Sequence, residues 1–251
     1  MKQSLKLQDA IVKAVEKKSA TPRTQRIRAI TFQMSVIIIM IAAFAVLTFL
    51  VITIPTFTID LKVSLALQSI TNPVFSWFMN AVSWVGFGPQ SFITALIIVV
   101  IIYKLKYRWE SVLAVITAST AALLNQLFKI VVHRVRPSAD ILNVTNLLKS
   151  YSFPSGHVMF YTAFFGFLCF LIYVSLKPSW IRTALLILFG SQIMLIGISR
   201  VYLGEHWASD AVGAYLLGGL CLIGAIRLYR WGKKRFFIKQ PVAKPIEQEK
   251  T

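Results

Sequence analysis

Long apolar runs separated by short polar breaks dominate the chain. A bilayer core needs about 20 consecutive apolar residues per helix. Six stretches reach or approach that length: 32–54, 89–104, 110–133, 157–176, 181–200 and 207–229. The second is the shortest. Ahead of it, 60–86 is amphipathic and rich in aromatics (Phe75, Trp77, Phe78, Trp84), with Pro73 and Gly86. That composition fits a segment in the membrane interface or an extension of the second span. The pattern therefore predicts an all-α polytopic membrane protein, six transmembrane helices with an interfacial amphipathic segment. The first apolar run is longer than a signal-peptide core and has no small-residue cleavage pattern before Pro55, so it reads as a retained span.

Composition agrees. The chain is 57% hydrophobic and only 14% charged, with a mean hydropathy of +0.69, too little polar surface for a soluble domain of this size. The net charge of +18 would suit a nucleic-acid binder if it were spread over one surface. Instead eight cations precede residue 29 and eight lie from Arg227 onward, flanking the apolar runs. No nucleic-acid partner is expected. Positive charge marks cytoplasmic ends. The arm, the 104–108 loop, the Lys177–Arg182 turn and the tail should share the cytoplasm, leaving 55–88, 134–156 and 200–206 on the outer face. The chain divides into a basic cytoplasmic arm (1–31), a six-helix domain (32–231) and a basic cytoplasmic tail (232–251). The expected location is the cell membrane, multi-pass, with both termini inside. In the arm, Leu5, Ile11, Val12 and Val15 fall broadly on one face, as in an amphipathic surface helix, although a solvated arm fits the same residues. Cys169 and Cys221 sit in mid-span without a CxxC partner, so neither a disulfide framework nor a zinc site is expected.

Three polar clusters interrupt the apolar pattern at the outward ends, where each charge is costly and calls for an account. Lys129 and Arg136 are seven residues apart, a spacing that places both on one helical face two turns apart. Alone, either could be a snorkelling cation. The fourth span opens with Pro154-Ser155-Gly156-His157. There Ser155 is expected to cap the helix, and the free N–H groups at its start form an anion site beside His157. The fifth span ends in Ser199-Arg200 and the sixth begins near His206, so the five-residue link makes Arg200 and His206 neighbours. His206 and Asp210 have helical i,i+4 spacing, so a carboxylate lies one helical turn below the imidazole, as an orienter stands behind a nucleophile. The bland alternative is a His–Asp pair that only stabilises a helix start.

Lys129–x6–Arg136-Pro137, Pro154-Ser155-Gly156-His157 and Ser199-Arg200–x5–His206–x3–Asp210 together resemble the three-part signature of the type 2 phosphatidic acid phosphatase superfamily, which also includes the vanadium haloperoxidases. The resemblance covers roughly residues 60–228. It implies that His206 attacks phosphorus to form a phosphohistidine, that Asp210 orients His206, and that His157 protonates the leaving oxygen and later activates water. It also implies that Lys129, Arg136 and Arg200, with the Ser155 hydroxyl and the Gly156 N–H, hold the phosphoryl oxygens. No metal or other cofactor is expected, because three cations can neutralise the transition state. The substrate class expected is a lipid phosphate or diphosphate within the bilayer, with undecaprenyl diphosphate and phosphatidylglycerophosphate favoured by resemblance to small bacterial members. A lipid phosphotransferase using the same intermediate, and a non-enzymatic lipid-binding or transport protein, are the rival readings. Oligomeric state, and a role for Glu205 beside His206, do not follow from the sequence.

Overall fold

The computed structural model describes residues 23–54 and 56–237, all of whose regular elements are helical. The amphipathic reading of the arm falls on residues outside that range. In chain order the helices are α1 (Arg23–Thr53), α2 (Thr58–Gln68), α3 (Pro73–Trp84), α4 (Gly88–Lys104) and α5 (Arg108–Val132). Then follow α6 (Gly156–Ser175), α7 (Trp180–Tyr202) and α8 (Ala208–Gly232), the last continued by a π turn at Lys233–Phe237. Five of them are long and apolar enough to cross a bilayer, and α3 with α4, bent by 60° at a short break, passes the same test as a pair, which makes six if the pair is one broken span. The expected all-helical membrane architecture is therefore observed. Helix α1 starts at Arg23, inside the segment read as arm, and its apolar stretch starts at Ile30.

The core is built from α5, α6 and α8. Leu113 and Ala114, Phe164 and Phe167, and Ala214 are each fully buried where these helices meet. Most of α1 faces outward, with Ile38, Ile39 and Phe49 more than half exposed. In a bilayer such faces meet lipid, which is as apolar as leucine and exacts no penalty. Helix α6 carries a π turn at Tyr161–Phe165, the kind of irregularity found at functional sites. From it the Tyr161 hydroxyl donates to the carbonyl of Val82 at 2.7 Å, tying α6 to α3.

Helix α2 departs from simple amphipathy. Asp60, Ser64 and Gln68, spaced four apart, share one face. Asp60 and Ser64 are buried in the protein, whereas Ile59 and Leu65 point outward. Gln68 donates to the carbonyls of Asn143 and Tyr202 at 2.8 and 2.9 Å and accepts from the Asn143 N–H. The polar stripe clamps the 134–155 loop and the end of α7, while the apolar stripe faces away from the bundle.

Candidate functional site

The C-terminal ends of α5 and α7 and the N-terminal ends of α6 and α8 meet at one end of the bundle. A cavity of about 290 Å³ opens there, lined by Lys129, Arg136, Gly156, His157 and His206 among polar groups. Its other wall is small or apolar: Gly86, Ala118, Ala121, Ala122, Leu148 and Phe160. Charged walls and an apolar slot thus share one volume.

Lys129 sits in the last turn of α5. Arg136 does not continue that helix, contrary to the expectation that both share one helical face. Helix α5 stops at Val132, and His133 turns the chain with φ 52°. Pro137 disfavours helical geometry at Arg136, so an extended strap carries it instead. The strap still brings both cations to the cavity. Lys129 Nζ donates to the carbonyl of Tyr151, and Arg136 Nε donates to that of Ser150 at 2.6 Å. Burial pushes the Arg136 guanidinium down to about 10, and Asp210 partly offsets this, so it stays charged at neutral pH.

His206 lies in the turn before α8, which starts at Ala208, so the expected helical i,i+4 relation to Asp210 is replaced by a capping one. Asp210 Oδ2 accepts from the backbone N–H of Trp207 at 2.8 Å and from the Ser152 hydroxyl, and lies 3.4 Å from His206 Nδ1. On the other side of the ring, Arg136 Nη1 lies 3.1 Å from His206 Nε2. A guanidinium can only donate, which makes Nε2 the acceptor and puts the ring proton on Nδ1, facing Asp210. Burial, then the charges of Arg136, Arg200 and Lys129, hold His206 well below the ordinary histidine range. The imidazole is neutral, with its lone pair on the side of Arg136.

His157 is in the first turn of α6, 8% exposed, its ring edge-on to Phe87 at 4.9 Å. A side chain at Gly86 would set a Cβ 2.2 Å from His157 Cδ2, so only glycine leaves room for this ring. Ser155 occupies the N-cap position, but its hydroxyl makes no capping bond, which corrects the expectation of a side-chain cap. The Ser155 oxygen is buried without a partner, as is His157 Nε2. Gly156 packs against Asn125, whose amide donates to the carbonyl of Pro154 at 3.0 Å and holds this loop in place.

Arg200, Asp210 and Ser155 lie behind the cavity wall rather than on it. Arg200 is wholly buried. It donates to the Ser83 hydroxyl at 2.8 Å, lies over the Phe87 ring and pairs with Glu205. Glu205, which had no assigned role, is therefore the counter-ion of Arg200, and Asn146 donates to its other oxygen at 2.8 Å. Sequence reasoning also passed over Arg134, Asp60, Ser152 and Asn125. Of these Arg134 lies between Lys129 and Arg136, where its signal was a cation two residues from Arg136, and Ser152 lies two residues ahead of Pro154, where a serine carries no such signal. No cluster of three or more His, Cys, Asp or Glu able to hold a metal occurs among the described residues.

A helical membrane bundle that gathers two histidines and cations around one cavity defines a class of membrane hydrolases. The chain belongs to the PAP2 superfamily, whose family model matches residues 109–234. It is similar to phosphatidylglycerophosphatase B of Bacillus subtilis, 31% identical over 181 residues, 70% of this chain and 86% of the relative. Undecaprenyl-diphosphatase of Sulfolobus acidocaldarius is 32% identical over 130 residues, 50% of this chain and 56% of the relative. The crystal structure of a transmembrane PAP2 type phosphatidylglycerolphosphate phosphatase from Bacillus subtilis matches with a TM-score of 0.69 at 27% identity, covering 80% of this chain and 98% of that one. This protein is a membrane-embedded lipid phosphatase.

Proposed function

We propose that the chain hydrolyses phosphatidylglycerophosphate or undecaprenyl diphosphate through a phosphohistidine on His206, at the extracytoplasmic face. The observation that carries the reading is the His206 ring, neutral, with Nδ1 backed by Asp210 and Nε2 bare of a proton beside Arg136. Nε2 attacks phosphorus and the bond to the leaving oxygen breaks. The charge that develops on the ring is met by the Asp210 carboxylate. His157 gives its proton to the leaving oxygen, then takes one from the water that frees phosphate. For this it must first be protonated, which binding of an anionic phosphoryl group favours.

Lys129 and Arg136 neutralise the phosphoryl oxygens, assisted by the N–H of Gly156 at the start of α6 and the Ser155 hydroxyl. Their present acceptors include the backbone carbonyls of Ser150 and Tyr151, which a phosphoryl group replaces with charged oxygens. Arg200 joins them once the phosphoryl group competes with Glu205. The slot walled by Ala118, Ala121, Ala122 and Phe160 receives the first part of the lipid chain. The relatives support the two named substrates, which share a terminal phosphate on a membrane-anchored chain.

The cations at the opposite end support the assignment of faces. Lys104, Lys106, Arg108, Lys177, Lys234 and Arg235 are all exposed there, the signature of a cytoplasmic side. A cysteine at Asn143 should react with an impermeant thiol reagent in intact cells; protection there would reverse the topology. The test of the chemistry is turnover with phosphorus-labelled lipid, quenched in alkaline detergent. An acid-labile, base-stable phosphoenzyme is expected, competed away by vanadate. Full turnover with no such intermediate, under conditions that slow its hydrolysis, would overturn the mechanism.

A further inference from the structure

Behind His206 lies a closed ring of buried charges. Arg134, 3% exposed, donates from Nη1 to Asp210 Oδ1 at 2.6 Å and to the Ser209 hydroxyl at 2.7 Å. Its Nη2 donates to Asp60 Oδ2 at 2.8 Å. Asp60 Oδ1 accepts from the backbone N–H of Ser209 at 2.8 Å, and the Ser209 hydroxyl donates to Asp60 Oδ2 at 2.5 Å. Asp60 is 1% exposed and Asp210 is fully buried. Asp60 comes from α2, outside the 109–234 segment that the family model matches.

From this geometry we infer that Asp60 and Arg134 are positioning residues for the hydrolytic reaction, acting on His206 through Asp210. The inference rests on the proposed role of Asp210 behind His206. A buried carboxylate held only by neutral donors is costly, and pairing with a guanidinium relieves that cost. Arg134 also anchors the oxygen of Asp210 that does not face the imidazole, which fixes the plane of the carboxylate. Pairing alone has a drawback, because Arg134 would cancel the negative charge that a cationic phosphohistidine needs behind it. Asp60 removes it. With two carboxylates and one guanidinium, the cluster keeps one net negative charge while every oxygen stays ligated. This support is needed only once charge has developed on His206, so its loss should fall on turnover rather than on substrate binding.

The test uses the full chain purified in detergent, with phosphate release measured from phosphatidylglycerophosphate and from undecaprenyl diphosphate. Asp60→Asn keeps the shape and removes the charge. We expect kcat to fall roughly 10- to 100-fold, the usual scale for losing a group that orients a reactive residue, with KM little changed. The phosphoenzyme should form more slowly. In an Asp210→Asn background, Asp60→Asn should cost almost nothing further, because its path to His206 is already cut. Wild-type kcat in a folded Asp60→Asn protein, or an undiminished loss in the Asp210→Asn background, would overturn the inference. Should Asp60→Asn fail to fold, Ser209→Ala removes only the hydroxyl that joins Asp60 to Arg134. A several-fold loss of kcat with unchanged KM is then expected, and unchanged kcat overturns the inference. Asp210→Asn with wild-type activity would instead remove the proposed role of Asp210, and the inference with it.

Discussion

The two ends of the bundle handle charge in opposite ways. At the site end, Asp60, Lys129, Arg134, Arg200, Glu205, His206 and Asp210 are all buried, and every one has a named partner. At the opposite end Lys104, Lys106, Arg108, Lys234 and Arg235 are exposed, and the buried charge is Glu110, paired with Lys233 at 2.7 Å. A buried charge is tolerated only in good geometry, so its neighbours must be placed to a fraction of an ångström. An exposed one needs only the right sign near a membrane surface. The first end should therefore be intolerant of substitution and the second permissive.

The largest effect should come from the nucleophile. His206→Ala is expected to lower phosphate release at least about a thousandfold in a protein that still folds. Steady-state assay with a thermal melt in detergent checks this, and near-normal turnover would remove the contrast between the ends at its centre. Next comes the turn that delivers His206. Gly204 has φ +68°, and a Cβ there would lie 2.3 Å from the carbonyl oxygen of Asn143. Gly204→Ala should cost about 1–3 kcal/mol of stability from the backbone alone, with reduced turnover because Arg200, Glu205 and His206 share that turn. An unchanged melting temperature would show that the turn has slack.

A smaller effect separates the ends by pH. His206 is held neutral in the folded protein by burial and by the cations around it. The unfolded chain takes up its proton at roughly pH 6.5. Below that the unfolded state binds more protons, so the contribution of this residue to stability declines as pH falls from 7 towards 5. The nucleophile itself stays unprotonated through the same window, and the acid limb of kcat/KM should not report an ordinary histidine in that role. Removal of His206 should flatten the corresponding part of the stability profile. The least effect is expected at the opposite end. Lys104→Gln with Lys106→Gln should leave kcat within about twofold and stability within about 0.5 kcal/mol; a large loss of turnover there would break the comparison.

The same contrast explains what was legible in the sequence. Apolar runs are governed by bilayer thickness, a local constraint, and the spans could be drawn from them. The three polar clusters stood out because charge at membrane depth is costly. What escaped was geometry set by non-local partners. Arg134 looked like another cation at a helix end, since Asp60 lies 74 residues away in the chain. Asp60 itself was part of an amphipathic segment, and no periodicity shows that the polar stripe of α2 faces inward. Lys129 and Arg136 were set on one helix because their spacing allows it, yet Pro137 and the left-handed turn at His133 end α5 earlier. Glu205 had no assignment because its partner, Arg200, was expected to face a phosphate.

The 109–234 segment carries every signature residue, but it is not a portable unit. Ser83 holds Arg200, Gly86 leaves room for His157, Asp60 completes the ring behind Asp210, and Gln68 pins the loop that carries Asn143. All four precede residue 109. A chimera that grafts the signature segment onto another membrane scaffold would import the reactive groups without their settings, and its smallest working boundary lies before α2.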